Sequence, residues 1–98
     1  MNLVDAIRRA VLDGQYIATE HAEERLEERG IPLWQLEVGW SVGIVTDVRP
    51  LDEPNPSIVV SQEIVVSQEL ADGTKVNVVW SYAISADEAR LVTAHFFD

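Results

Sequence analysis

Two identical six-residue copies stand back to back in this chain, Ile58-Val59-Val60-Ser61-Gln62-Glu63 and Ile64-Val65-Val66-Ser67-Gln68-Glu69. Successive side chains of an extended strand alternate faces, so an even period keeps both copies in one orientation. Ile58, Val60, Ile64, Val66 and Leu70 then share a face with Gln62 and Gln68, while Ser61, Glu63, Ser67 and Glu69 share the other. The pattern predicts a strand with one buried and one wet face. Sliding it by six residues leaves every side chain on its proper side, so the turn that follows has to fix the alignment. That turn is Ala71-Asp72-Gly73-Thr74, because Asp-Gly supplies the positive φ angles a tight hairpin requires. Val76, Val78, Trp80 and Tyr82 then alternate with Lys75, Asn77 and Ser81 in a returning strand from Thr74 to Tyr82.

Two further strands are predicted, Ile44 to Arg49, closed by Pro50, and Arg90 to Phe97 at the end. Asp52 to Pro56 is a loop, since prolines this close together cannot serve an interior strand. Ser85-Ala86-Asp87-Glu88 has capping-box spacing and predicts a single turn before the last strand. Helices come first. Leu3, Val4, Ile7, Ala10 and Val11 share one face of a helix from Leu3 to Asp13, capped by Asn2 and stopped at Gly14. Gln15 to Ala18 is a crossing segment that leads to Thr19, whose hydroxyl can accept from the orphan amides of a second helix. Glu20 and Glu23 suit that helix's positive end, and Gly30 suits a left-handed stop after Arg29. Pro32 fits the first position of a third helix, with Leu33, Leu36 and Trp40 at helical spacing until Gly43. This order predicts an α+β fold, two to three N-terminal helices packed on a four-stranded antiparallel sheet. Trp34, Trp40 and Trp80 are assigned to its core. The chain's 98 residues, 47% hydrophobic against 24% charged, allow a single domain over residues 1–98 with one modest core.

Seventeen acids face seven Lys and Arg, a net charge of −10. Such a field repels polyanions, because nucleic-acid affinity comes largely from phosphate neutralisation. The plain reading is a solubility device; the sharper one is a negative surface for a basic partner, or a nucleic-acid mimic. With no cysteine, disulfides and thiolate-metal sites are excluded. Neither a basic leader with an apolar run nor an eighteen-residue apolar stretch occurs, so no membrane association is expected and the expected location is cytoplasmic.

His21, Arg25 and Arg29 stand four apart and form one column on the second helix, opposite an arc of Glu20, Glu23, Glu24, Glu27 and Glu28. Stacking two guanidinium groups costs ~0.2–0.5 kcal/mol on an exposed helix, so a carboxylate or a bound anion is expected to compensate. The same residues carry a resemblance. T-x-H-A-x-x-R from Thr19 to Arg25, then Arg29-Gly30-Ile31, a short helix, a glycine before a strand, an Asp-Gly hairpin and a terminal Val92-Thr93-Ala94 resemble the bacterial domain-of-unknown-function family 4258 over roughly residues 16 to 97. Where that family's last motif ends in tyrosine, this chain has His95. The family is related distantly to RelE/ParE-type toxins, which place two helices before a small antiparallel sheet and whose better-known members cut RNA. The resemblance therefore implies a RelE-like fold more firmly than it implies an activity.

Metal-independent RNA cleavage needs a base for the 2′-hydroxyl proton, an acid for the leaving oxygen and a cation for the phosphorane. His21 and His95 are the candidate acid–base pair, since an unperturbed imidazole titrates near ~6.5. Arg25 joins them as the catalytic cation, Arg25, Arg29 and Thr93 are the candidate phosphate ligands, and Tyr82 is a candidate base contact. No cofactor or metal is expected, for the chain lacks an H-E-x-x-H pair, a glycine-rich phosphate loop and a nucleophile elbow. Each residue also has a structural reading. His21 can bond a loop carbonyl, Arg25 and Arg29 can pair with Glu63, Glu69 or other acids across the sheet, and His95 can pack half-buried in its strand. The alternative function is a non-catalytic acidic module that holds a basic protein. The partners to test are thus RNA, a basic protein, and a second copy joined through a sheet edge.

Overall fold

The Asn2 side chain accepts from the Asp5 amide and starts helix α1, Leu3–Leu12, which buries Ala6, Ile7, Ala10 and Val11. The computed structural model describes residues 2–64 and 74–96. The repeat beyond Ile64, the Asp72-Gly73 turn and Phe97 lie outside those residues. After α1 come strand β1, Tyr16–Ala18, helix α2, Glu20–Arg29, and helix α3, Leu33–Gly39, which runs into a 3-10 turn at Trp40–Val42. Thr19 caps α2 by accepting from the Ala22 amide, and Gly30 ends it in the left-handed conformation at φ 66°. Pro32 is extended and precedes α3 instead of opening it. Gly43 then lets the chain pass over β3: a Cβ there would stand 2.7 Å from Val60 Cγ1.

Strands β2, Ile44–Arg49, β3, Ser57–Ile64, β4, Thr74–Ala83, and β5, Glu88–Phe96, complete the fold. Ile84–Ala86 forms a 3-10 turn before β5, while Glu88 already belongs to the strand. The sheet order is β1-β5-β4-β3-β2. Neighbours pair antiparallel from β2 to β5, but Tyr16, Ile17 and Ala18 run parallel to Ala89, Arg90 and Leu91. The expected four-stranded antiparallel sheet is thereby corrected to a five-stranded mixed one. The segment read as a simple crossing is a strand, too short for alternation to reveal it and paired with the far end of the chain.

Helices α1, α2 and α3 pack on one sheet face. Ile58, Val60, Val76, Val78, Trp80, Leu91 and Ala94 meet Ile7, Val11, Leu26, Leu36 and Trp40 there. Gln62 is also buried, and its amide is used at both ends: Nε2 donates to the Leu36 carbonyl at 2.7 Å, and Oε1 accepts from Trp80 Nε1 at 3.0 Å. Trp80 meets Trp40 and Tyr16 edge to face, with centroids 5.9 and 5.8 Å apart. Trp40 and Trp80 are core residues as expected. Trp34 is not, being 51% exposed, because α3 turns Gln35, Leu36 and Gly39 inward and leaves Trp34 and Val38 outside. Among the described residues no helix is long and apolar enough to cross a membrane.

Two β-bulges change side-chain parity. In β5, Leu91 stands opposite Trp80 and Thr93 opposite Val79, leaving Val92 as the extra residue. In β2, Thr46 is extra between Val45, opposite Val60, and Asp47, opposite Val59.

Candidate functional site

The sheet face turned away from the helices carries Ser57 of β3, Val79 and Ser81 of β4, and Arg90, Thr93 and His95 of β5. The loop between β2 and β3 folds toward this face, and the two enclose a cavity of about 420 Å³. Strict alternation would put Arg90 on the face opposite Thr93 and His95. The bulge at Val92 reverses the parity, so all three side chains line the same cavity. Thr19 stabilises this irregularity. Its amide donates to the Leu91 carbonyl at 3.0 Å and its hydroxyl to the Val92 carbonyl at 2.9 Å, while the same oxygen caps α2.

Arg49 of β2 enters from the other side, held by Asp47 at 2.8 Å, and that hydrogen bond raises the guanidinium above its ordinary pKa. Ser57 Oγ donates to Asp52 at 2.6 Å, and Asp52 and Glu53 of the loop also line the cavity. Two guanidinium groups therefore balance two carboxylates in a molecule of net charge −10, a local departure from the overall field. Val79, Val92 and Pro54 give the cavity apolar surface. Two polar atoms beside it are shielded from solvent without a hydrogen-bond partner, Thr93 Oγ1 and Arg90 Nε, the latter 3.6 Å from Glu88 Oε1.

The expected site residues are divided by this geometry. His95 and Thr93 line the cavity; His21, Arg25, Arg29 and Tyr82 do not. His21 is exposed in the first turn of α2. Arg25 Nε donates to the Ala94 carbonyl at 3.4 Å and its NH1 lies 3.5 Å from Glu28. Arg29 sits over the Phe96 ring at 4.7 Å, with Arg25 at 6.0 Å. Beyond Ala18, where β1 ends, α2 thus supplies donors to the edge carbonyls of β5. The Thr-x-His-Ala-x-x-Arg motif is in this respect a seam between helix and sheet, with Ala22 fully buried between its two polar ends. The suggested pairing of the two arginines with Glu63 or Glu69 rests on side chains outside the described ones.

Tyr82 faces the helices, on the opposite side of the sheet from the cavity. Its hydroxyl donates to Asp87, which also receives Arg9 at 3.0 Å. The phenol is held above its ordinary pKa, first by that hydrogen bond and then by burial. Arg49 and Arg90, which sequence reasoning passed over, are the arginines that line the cavity with His95; Arg25 and Arg29 do not line it. Among the described residues no group of three His, Asp or Glu side chains is placed to hold a metal ion. Comparisons with family models, curated proteins and solved structures gave no match.

Proposed function

We propose that the open-face cavity binds one phosphate-bearing nucleotide unit of single-stranded RNA, and that this protein is a RelE-like relative in which binding has outlasted efficient cleavage. The observation that carries the reading is that Arg49, Arg90, Thr93 and His95 all line one cavity. A guanidinium fork suits phosphate oxygens, the threonine hydroxyl adds a donor, and Val79 and Val92 offer a surface against which a base can lie. His95 is the single imidazole lining that cavity. Two-histidine acid–base catalysis would need His21 at the same phosphodiester, which its absence from the lining disfavours.

The test is binding of a short labelled single-stranded RNA at low salt, with the RNA afterwards analysed for cleavage. Arg90→Ala is expected to weaken binding about tenfold or more, as befits a hydrogen bond to a charged group worth ~1.5–3 kcal/mol. His95→Ala should weaken it less, and His21→Ala should leave it within about twofold. Cleavage by wild type that disappears with either histidine would overturn the binding-only reading in favour of the two-histidine nuclease. RNA binding that no cavity variant affects would remove the cavity from the account.

A second reading has its own observation. Trp34, Val38 and Val42 recur every four residues along α3 and its 3-10 extension, and are 51%, 62% and 61% exposed. An apolar stripe on an acidic molecule suits a basic amphipathic partner. Trp34→Ala would then abolish capture of such a partner while leaving RNA binding intact.

A further inference from the structure

We infer that the cavity selects guanine, because its loop wall presents carboxylate acceptors to the base edge while its β5 wall holds the phosphate. This rests on the proposed nucleotide site and names the base that site takes. Both carboxylates that line the cavity, Asp52 and Glu53, come from the loop between β2 and β3, whereas β5 contributes Arg90, Thr93 and His95. The cavity is therefore bipolar. A ligand that offers only a phosphate is drawn to one wall and repelled by the other; a ligand with hydrogen-bond donors at its far end satisfies both.

The fold sets the distance between the walls. Ser57, Ser81 and Arg90 are consecutive cross-strand neighbours on the open face. Two strand spacings separate Ser57 from Arg90, ~10 Å at the backbone, which is on the scale of a sugar with its base and too wide for one phosphate. Ser57 is buried, and its hydroxyl donates to Asp52 Oδ2 at 2.6 Å. That bond ties the loop carboxylate to the sheet and leaves Oδ1, with the remaining lone pair of Oδ2, to accept from a ligand.

A carboxylate accepts and cannot donate. Guanine alone among the four RNA bases sets two donors side by side on its Watson–Crick edge, N1–H and N2–H, and so matches both oxygens. Adenine and cytosine offer one amino donor beside a ring-nitrogen acceptor, and uracil offers one N–H between two carbonyls. Each of these turns a lone pair toward the second oxygen, which leaves it unsatisfied. Asp52 is thus the specificity-determining residue, Ser57 its positioning residue, and Glu53 a second acceptor on the same wall.

Titrations at low salt, followed at the His95 imidazole resonance, test the base choice with guanosine, inosine and adenosine monophosphates, each as the 3′ and the 5′ isomer. Guanosine monophosphate is expected to bind about tenfold or more tighter than adenosine monophosphate, the effect of a hydrogen bond to a charged group. Inosine monophosphate, which keeps N1–H and lacks the 2-amino group, is expected to fall between them. Asp52→Asn replaces one acceptor oxygen by a donor amide, so it should bring guanosine monophosphate down to the adenosine level and leave the latter within about twofold. Ser57→Ala should narrow the guanosine preference; equal weakening of both nucleotides would overturn its positioning role. Equal affinity for all three nucleotides, with His95 shifting in each titration, would overturn base selection and leave the nucleotide site standing. A guanosine preference that survives Asp52→Asn would overturn the assignment to Asp52. No His95 shift with any of them would remove the nucleotide site and the base choice together.

Discussion

Thr19 shows how much one hydroxyl can organise. It accepts from the Ala22 amide, donates to the carbonyl of the bulged Val92, and stands at the edge of the cavity. Thr19→Ala is expected to cost about 2 kcal/mol, a lost cap together with an unpartnered carbonyl, and Thr19→Ser to restore most of it in urea unfolding. The two tyrosines give a pH signature. Burial, then the charge and hydrogen bond of Glu37, raise the Tyr16 phenol; the Asp87 hydrogen bond, then burial, raise that of Tyr82. A raised phenol pKa means that the unfolded chain loses its proton first. The stabilisation is therefore complete below the ordinary tyrosine value of ~10 and is lost as pH climbs through the folded value. Tyr16→Phe removes this liability, so its urea midpoint relative to wild type should stay constant from pH 7 to 9 and move in the variant's favour at pH 11.

At the level of elements, the helices were legible because their signals are local. Asn2, Thr19 and Gly30 occupy the capping positions their chemistry suggests, and the face of α1 follows its apolar spacing. The central strands were legible from alternation, which put Ile58, Val60, Gln62, Val76, Val78 and Trp80 on the buried face. Three features were not. Tyr16–Ala18 is too short to show a period, and its parallel partner is some seventy residues away. The bulge at Val92 leaves no trace in composition, yet it decides that Arg90 joins Thr93 and His95. Arg25 and Arg29 looked available for a phosphate because sequence cannot show a strand-edge carbonyl or the Phe96 ring beside them. Gly43 belongs to this scale too. Gly43→Ala would drive a methyl into Val60, a branched and buried side chain, and is expected to destabilise by about 1–3 kcal/mol with a lower thermal midpoint.

For the whole molecule, the net charge of −10 makes two salt effects run in opposite directions. Screening relieves repulsion among the acids, so thermal stability should rise between low and physiological ionic strength. RNA binding should weaken over the same range, but gently. With two arginines at the cavity, the slope of log affinity against log salt is expected near about −1.4, far shallower than for a basic nucleic-acid binder. The claim on which the functional account depends is that the anion site lies on the open sheet face and not along α2. The two histidines, His95 on that face and His21 on the helix, are built-in reporters of the difference. The direct measurement follows both imidazole resonances by NMR while a short single-stranded RNA is titrated at low salt. A saturable shift of His95 with His21 unmoved is the predicted result; a shift of His21 with His95 unmoved, or no shift in either, would contradict it.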